Sequence, residues 1–112
     1  MVLAGSDIIL KDTIYQDLLV AGGEIFVSGF VADDIRAAGG KLTIDSEVRD
    51  DVIVSGGQVI ITENDVIHGN LINFSGNINM NGVIKGMFRS NSGNLTMNGT
   101  IEGDALFKGW KP

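Results

Sequence analysis

The stretch LLVAGGEIFV at residues 18–27 returns as IRAAGGKLTI at residues 35–44 and as VIVSGGQVII at residues 52–61. In each copy two apolar runs flank a glycine pair, which begins at position 22, then at position 39 and then at position 56, a constant step of 17. A single β-hairpin would account for one copy, but three copies at a fixed step are the signature of a repeat architecture.

Small residues continue this frame along almost the whole chain. The step stays at 17 throughout, except for one step of 19 that contains the longer turn TENDV, residues 62–66. The pairs are Gly5-Ser6, Gly22-Gly23, Gly39-Gly40, Gly56-Gly57, Ser75-Gly76, Ser92-Gly93 and Gly109-Trp110. The sequence therefore predicts about six coils of about 17 residues each, with partial coils at both ends.

Apolar residues align in columns within the same frame. After each glycine position comes an apolar-x-apolar triplet, whose period of two indicates a strand with these side chains on one face. The triplets are Ile8/Leu10, Ile25/Val27, Leu42/Ile44, Val59/Ile61, Ile78/Met80 and Leu95/Met97. Two further columns are Leu18, Ile35, Val52, Leu71, Phe88 and Ala105, and Ile14, Val31, Val48, Ile67, Ile84 and Ile101.

These columns predict an all-β, single-stranded β-solenoid, because one coil of this length buries its apolar face only against its neighbours. Six coils at about 4.8 Å would form a triangular or flattened rod roughly 29 Å long. We expect one domain over residues 1–112, with a partial coil at 1–13, stacked coils at 14–107 and a tail at 108–112. Glycine at the corners is expected to adopt positive φ.

Two details of the solenoid are less directly specified. The uneven offsets of the inward columns fit poorly to the left-handed hexapeptide helix, so a right-handed β-helix is predicted. Asn73 and Ser90 fall in a column otherwise held by Val20, Ala37, Val54 and Phe107. Either they form a buried hydrogen-bonded ladder, or the register shifts so that Ile72 and Phe74 point inward.

Composition argues against catalysis and cofactor binding. The 112 residues contain no cysteine and one histidine, His68, which excludes the common zinc sites and offers no catalytic triad. No glycine-rich loop leads into a helix, so nucleotide binding has no support, and no nucleic-acid partner is expected. No apolar run approaches the length of a membrane-spanning helix, and MVLAG is too short for a signal peptide. We therefore predict a protein without enzymatic activity or cofactor.

Acidic residues recur at one corner of the predicted coils. Asp33, Asp34, Asp50 and Asp51 occupy matching positions one coil apart, with Asp17 beside them. Carboxylate oxygens at this density are weak candidates for a calcium site. The nonapeptide calcium-binding repeat is absent and two arginines lie nearby, so a solvated ladder is the favoured interpretation.

The repeat unit, as in VADDIRAAGGKLTI at residues 31–44, resembles that of the bactofilin-like, polymer-forming β-helix proteins. The similarity covers about residues 8–107, and it includes an Asp or Asn four positions into each coil at Asp17, Asp34, Asp51, Asn70 and Asp104, with Met87 as the departure. The resemblance implies end-to-end self-assembly into filaments or sheets without nucleotide. It favours a cytoplasmic or membrane-associated protein, with the cell surface as the other possibility. Any association with a membrane or the cell envelope is expected through segments other than these residues.

The ends of the predicted solenoid support the same function. No capping helix is evident beside Ile8 and Leu10 at one end, or beside the apolar residues Ile101, Leu106, Phe107 and Trp110 at the other. Unpaired strand edges favour association. Residues 1–66 carry 12 acidic and 4 basic side chains, a net charge of −8, whereas residues 67–112 carry 2 and 4, a net of +2. We hypothesise that this asymmetry steers the polarity of assembly.

One outward column suggests an alternative function. It contains Phe26, Thr43, Ile60, Asn79 and Thr96, and Phe26 and Ile60 make it unusually apolar for a solvated face. Lateral pairing of filaments, or coverage by a segment outside this sequence, would explain this column. The alternative is a non-catalytic binding module of a surface or membrane-attached protein that uses this lateral face.

Overall fold

The computed structural model describes residues 2–108, without the side chains of Asp12 and of residues 105–108. Ten strands and no helix are present in this part of the chain. The strands are β1 (Val2–Ile14), β2 (Leu18–Val31), β3 (Ile35–Val48), β4 (Val52–Ile61), β5 (Val66–Ile67), β6 (Leu71–Met80), β7 (Val83–Ile84), β8 (Phe88–Met97), β9 (Thr100–Ile101) and β10 (Ala105–Lys108).

All the strand pairs are parallel, and they connect successive coils in a single stack. The long strands β1, β2 and β3 pair in sequence order, each forming most of one coil. Beyond β3 each coil divides into a long and a short strand, so that β3 pairs with both β4 and β5. The pairs β4–β6–β8–β10 and β5–β7–β9 continue the two sides. The all-β solenoid of about six coils is therefore confirmed.

The register follows the repeat frame of the sequence. Gly22 lies opposite Gly5 and Gly39, and every partner from β1 to β4 is one regular repeat step away. Between β4 and β6 the step is longer by two positions, as Gly56 opposite Ser75 shows. The longer turn TENDV is accommodated between β4 and β5, and the strand columns continue unchanged.

The core is the interior of the tube, filled by the predicted apolar columns. In coils two to five their side chains are almost completely buried, whereas in the first and last coils Ile8, Leu10, Met97 and Ile101 are only partly buried. Burial of each Val, Leu or Ile side chain is worth about 1.5–3 kcal/mol. Stacking thus supplies most of the stabilisation, and a terminal coil receives less because it has one neighbour.

The prediction that the paired glycines adopt positive φ is wrong. Gly29 alone among the described residues has positive φ, at 106°, and it lies outside the pairs. The paired glycines belong to continuous strands that bend, and the bend brings backbones of adjacent coils close together. A Cβ on Gly22 would overlap the carbonyl oxygen of Gly5, and one on Gly39 would overlap that of Gly22. Close approach is the physical reason for glycine here.

The structure also decides between the two interpretations of Asn73 and Ser90. Both side chains are buried, and Asn73 Nδ2 donates to Ser90 Oγ at 3.1 Å and to Ser75 Oγ at 3.0 Å. Phe74 is 51% exposed, so the register does not shift. Asn73 Oδ1 has no hydrogen-bond partner in the part of the chain that the structure describes. One interior column therefore changes from apolar to polar at Asn73 and Ser90, while the other interior columns stay apolar. The predicted right-handedness stays a prediction.

Candidate functional site

The N-terminal end of the stack is the outer edge of β1. This strand pairs with β2 over nearly its whole length, and its other edge has no strand partner within residues 2–108. Ile8 and Leu10, two of the predicted interface residues, are partly buried and pack against the core of the next coil. A 13-residue strand with one open edge offers a row of backbone donors and acceptors to another chain.

The C-terminal end is formed by β9 and β10. Each pairs with one strand only in the described part of the chain, β7 and β8 respectively. Ile101 is partly buried against the core. Leu106 and Phe107 lie opposite Arg89 and Ser90 in the register. Their side chains, and the whole of Trp110, lie outside the described residues.

The structure places the predicted outward column in register and extends it by one residue, Ile9. Ile9, Phe26, Thr43 and Ile60 lie in register on β1 to β4, followed by Asn79 and Thr96 on β6 and β8. Ile9 is 72% exposed, and Phe26 and Ile60 are half-buried. We call the first four residues the central row.

Two charged rows flank the central row, each two residues away along the strands. The first row contains Asp7, Glu24 and Lys41, and the second row contains Lys11, Ser28 and Asp45. We call the three rows together the lateral face. A depression of about 560 Å³ lies over its first coils, lined by Asp7, Ile8, Ile9, Lys11, Glu24, Ile25, Phe26, Lys41 and Thr43. The two charged rows were not predicted, although they are visible in the sequence two positions to either side of the central row.

The acidic corner is a ladder of side chains that accept backbone hydrogens from the next coil. Asp17 Oδ1 accepts from the Asp34 amide at 3.1 Å, and Asp34 Oδ1 accepts from the Asp51 amide at 2.9 Å. Asp51 and Asn70 continue the ladder to the Asn70 and Met87 amides at 2.8 and 2.7 Å. Satisfying a corner amide explains why Asp or Asn recurs there, since a buried or half-buried donor without a partner is costly.

Three of the four predicted metal candidates come together at this corner. Carboxylate oxygens of Asp34, Asp50 and Asp51 lie within 4.8 Å of one another, whereas Asp33 is not part of this group. Repulsion by Asp34, with smaller contributions from desolvation and the other carboxylates, raises the pKa of Asp50 above its ordinary value. Oxygen ligands in this arrangement could hold a hard cation, but two of the carboxylates already serve the backbone ladder.

Asp65 is a buried carboxylate that the sequence argument missed. It comes from the TENDV insertion, and its oxygens accept the backbone hydrogens of Ser46 and of Thr62, the latter at 3.1 Å. Desolvation, partly opposed by these two hydrogen bonds, raises its pKa to about 8, and nearby Asp45 adds repulsion. The hydroxyl of Ser46 is also buried and has no hydrogen-bond partner among the described residues. An insertion that contains Asp beside the strand was the signal that could have identified this group.

His68 lies at the surface, directly after β5. Its Nε2 is 2.8 Å from Glu47 Oε2, and both side chains are exposed. An exposed side-chain contact of this kind contributes little to stability.

The comparisons with known proteins add no family assignment. No protein-family model matches the chain, and neither the curated proteins nor the solved structures gave a match. Among residues 2–108, no helix is long and apolar enough to cross a membrane. The candidate surfaces that the geometry identifies are thus the two ends of the stack and the lateral face.

Proposed function

We propose that this protein is a structural, self-assembling β-solenoid that forms filaments or scaffolds by stacking coils end to end, without nucleotide or catalysis. The observation that carries the proposal is the open strand edge at each end of the described stack. An incoming chain would extend the same parallel pairing that already joins the coils. The resemblance to the bactofilin-like repeat supports the same function.

The apolar residues of the end coils support this interpretation. Ile8 and Leu10 at one end, and Met97 and Ile101 at the other, are partly exposed although their columns are fully buried in the middle of the stack. Docking of a further coil would complete their burial and would satisfy the edge amides and carbonyls. A contact between unlike ends does not close and so propagates into a fibre.

Unequal charge along the stack gives the proposed assembly a direction. The acidic half, residues 1–66, would meet the weakly basic half, residues 67–112, of the next molecule. Higher ionic strength should then slow head-to-tail assembly, because attraction between separated charges is screened. If assembly and its polarity are the same at low and high salt, charge does not steer it.

Sedimentation velocity over a wide concentration range tests the end-to-end contact. Wild-type protein should show a series of growing oligomers, and Leu10→Lys, which places a charge at the open end, should reduce them strongly. Leu19→Lys is the matched control, since Leu19 is an exposed leucine on the side of the second coil. A wild-type monomer at every concentration, or equal loss in both variants, would contradict the proposal. Circular dichroism would verify that both variants fold.

A second candidate function is favoured by the depression on the lateral face. A binding module would use Phe26 at this depression, with Glu24 and Lys41 as polar partners for a glycan or a peptide. This alternative predicts a monomer that binds its ligand through Phe26. It would become the leading function if Phe26→Ala abolished ligand binding and the protein did not assemble.

A further inference from the structure

We propose that the lateral face is a self-complementary surface that docks a second copy of this chain, so that two rods lie side by side and point in the same direction. The observation is the order of charges in the two flanking rows. Along the stack the first row reads Asp7, Glu24, Lys41, and the second row, on the same three coils, reads Lys11, Ser28, Asp45. Where one row begins with an acid the other begins with a base, and their last members are reversed.

A twofold axis parallel to the stack places each row opposite the other row of the second copy, coil by coil. Asp7 then faces Lys11 of the second copy, and Lys41 faces its Asp45. Glu24 faces the neutral Ser28. Every charged contact in this arrangement joins unlike charges or a charge and a neutral group, which is the complementarity expected of a specific interface. An isologous contact of this kind uses the same surface on both partners.

The central row fits the same symmetry. In the parallel arrangement each of its residues faces itself in the second copy, so that Ile9, Phe26 and Ile60 meet apolar partners. The strongly exposed Ile9 and the half-buried Phe26 would both lose contact with water. Pairs of aromatic rings are also favourable contacts in their own right. Burial of this row supplies an attraction that the charges alone, at a solvated surface, would not provide.

The opposite orientation is less favourable. A twofold axis along the strands, centred on the second coil, would make the rods antiparallel and would also pair Asp7 with Lys41 and Lys11 with Asp45. It would, however, place Glu24 against Glu24 of the second copy and would put Ile9 against the polar Thr43. Like charges in direct opposition suppress an arrangement. The structure therefore favours rods that point the same way.

The area of the face determines when pairing occurs. Four residues along a strand and three coil steps span roughly 13 by 14 Å, or about 200 Å² on each copy. A stable interface buries about 800 Å² on each partner, so isolated molecules should pair only weakly. In a filament the face recurs in every molecule, and the linked contacts act together. Stable lateral pairing, and with it this inference, therefore rests on the proposed end-to-end assembly.

Disulfide trapping tests the geometry, because the chain has no cysteine of its own. In the parallel pair, position 43 faces itself, so Thr43→Cys should give a disulfide-linked dimer on mild oxidation, several-fold more abundant than that of Ser55→Cys. Ser55 is an exposed control on another side of the rod. In the antiparallel pair, position 43 faces position 9, so the dimer would require Thr43→Cys combined with Ile9→Cys. Equal, low cross-linking of the Thr43→Cys and Ser55→Cys variants would overturn the proposal.

Charge exchange supplies a second test that does not depend on cross-linking. Asp7→Lys should abolish paired filaments in electron micrographs, and adding Lys11→Asp should restore them, because the facing pair on the first coil then again joins unlike charges. Adding Lys41→Asp instead should not restore them. Filaments of single width, without the Thr43→Cys dimer, would overturn lateral pairing and leave end-to-end assembly standing. A Thr43→Cys dimer without filaments would support lateral pairing and contradict end-to-end assembly.

Discussion

Replacement of Asp65 by Asn should change how stability depends on pH. The carboxyl of Asp65 is fully buried, and its pKa rises from an ordinary value of 3.8 to about 8 in the folded protein. Between these values the folded state holds a proton that the unfolded state releases. The contribution of Asp65 to stability is therefore greatest below pH 4, decreases as the pH rises, and levels off above about pH 8.

The magnitude follows from the width of this window. Each pH unit corresponds to about 1.4 kcal/mol, so between pH 5 and pH 7 the wild-type protein should lose up to about 2.7 kcal/mol relative to Asp65→Asn. Asn cannot titrate, and its side-chain oxygen can still accept one of the two backbone hydrogens of Ser46 and Thr62. The free-energy difference between the two proteins, wild type minus variant, should thus decrease across this interval.

Urea denaturation at pH 5 and pH 7, followed by circular dichroism at low protein concentration, would measure this difference. Glu63→Gln is the matched control, since Glu63 is an exposed carboxylate of the same insertion. Its pH profile should follow that of the wild type. A difference between wild type and Asp65→Asn that stays constant within about 0.5 kcal/mol would refute a raised pKa at Asp65.

Three further predictions concern the stack itself. Gly39→Ala should lower the free energy of unfolding by about 1–3 kcal/mol, because its Cβ would overlap the Gly22 carbonyl oxygen. Gly40→Ala should lower it less, because its Cβ would lie 3.0 Å from the Gly23 carbonyl oxygen. Equal losses of stability in thermal melts would argue against close packing at the bend. Asn73→Val combined with Ser90→Val should leave the free energy of unfolding unchanged or raise it, since the same column is apolar in earlier coils. A large loss of stability in urea denaturation would show instead that the hydrogen bonds of this polar pair stabilise the fold. Asp34→Asn should preserve the corner ladder, because the Asn side-chain oxygen can still accept the hydrogen of the Asp51 amide. Asp34→Ala cannot accept it and should lower the free energy of unfolding by about 1 kcal/mol. Equal stability of the two variants would contradict a role for that hydrogen bond.

Much of the architecture could be predicted from the sequence because the repeat makes each column visible several times. The fixed step, the inward triplets and the exterior Phe26 column need only a strand period and stacking, and the structure reproduces them. The pattern of apolar and polar residues is enough to specify the register, because a shift of one residue along a strand would turn every apolar side chain outward.

The reasons behind individual positions were harder to predict. Glycine pairs have two physical explanations, positive φ and close approach of backbones, and the sequence does not distinguish them until the path of the bend is known. Asp65 occurs where the repeat is interrupted, so no column indicates whether it is buried. Asn73 does fall in a column, opposite Val54, but a polar residue in an apolar column is compatible with either burial or a register shift. The charged rows can be recognised as parts of one lateral face only when it is known which side chains of each strand point outward.

Electron cryo-microscopy of the protein across a concentration series would test the central claim most directly. End-to-end stacking predicts filaments in which coils at about 4.8 Å continue through every junction, with β1 of one molecule paired to the last coil of its neighbour. Molecules that stay single at all concentrations, or assemblies in which the strand edges remain open and only the sides touch, would contradict it.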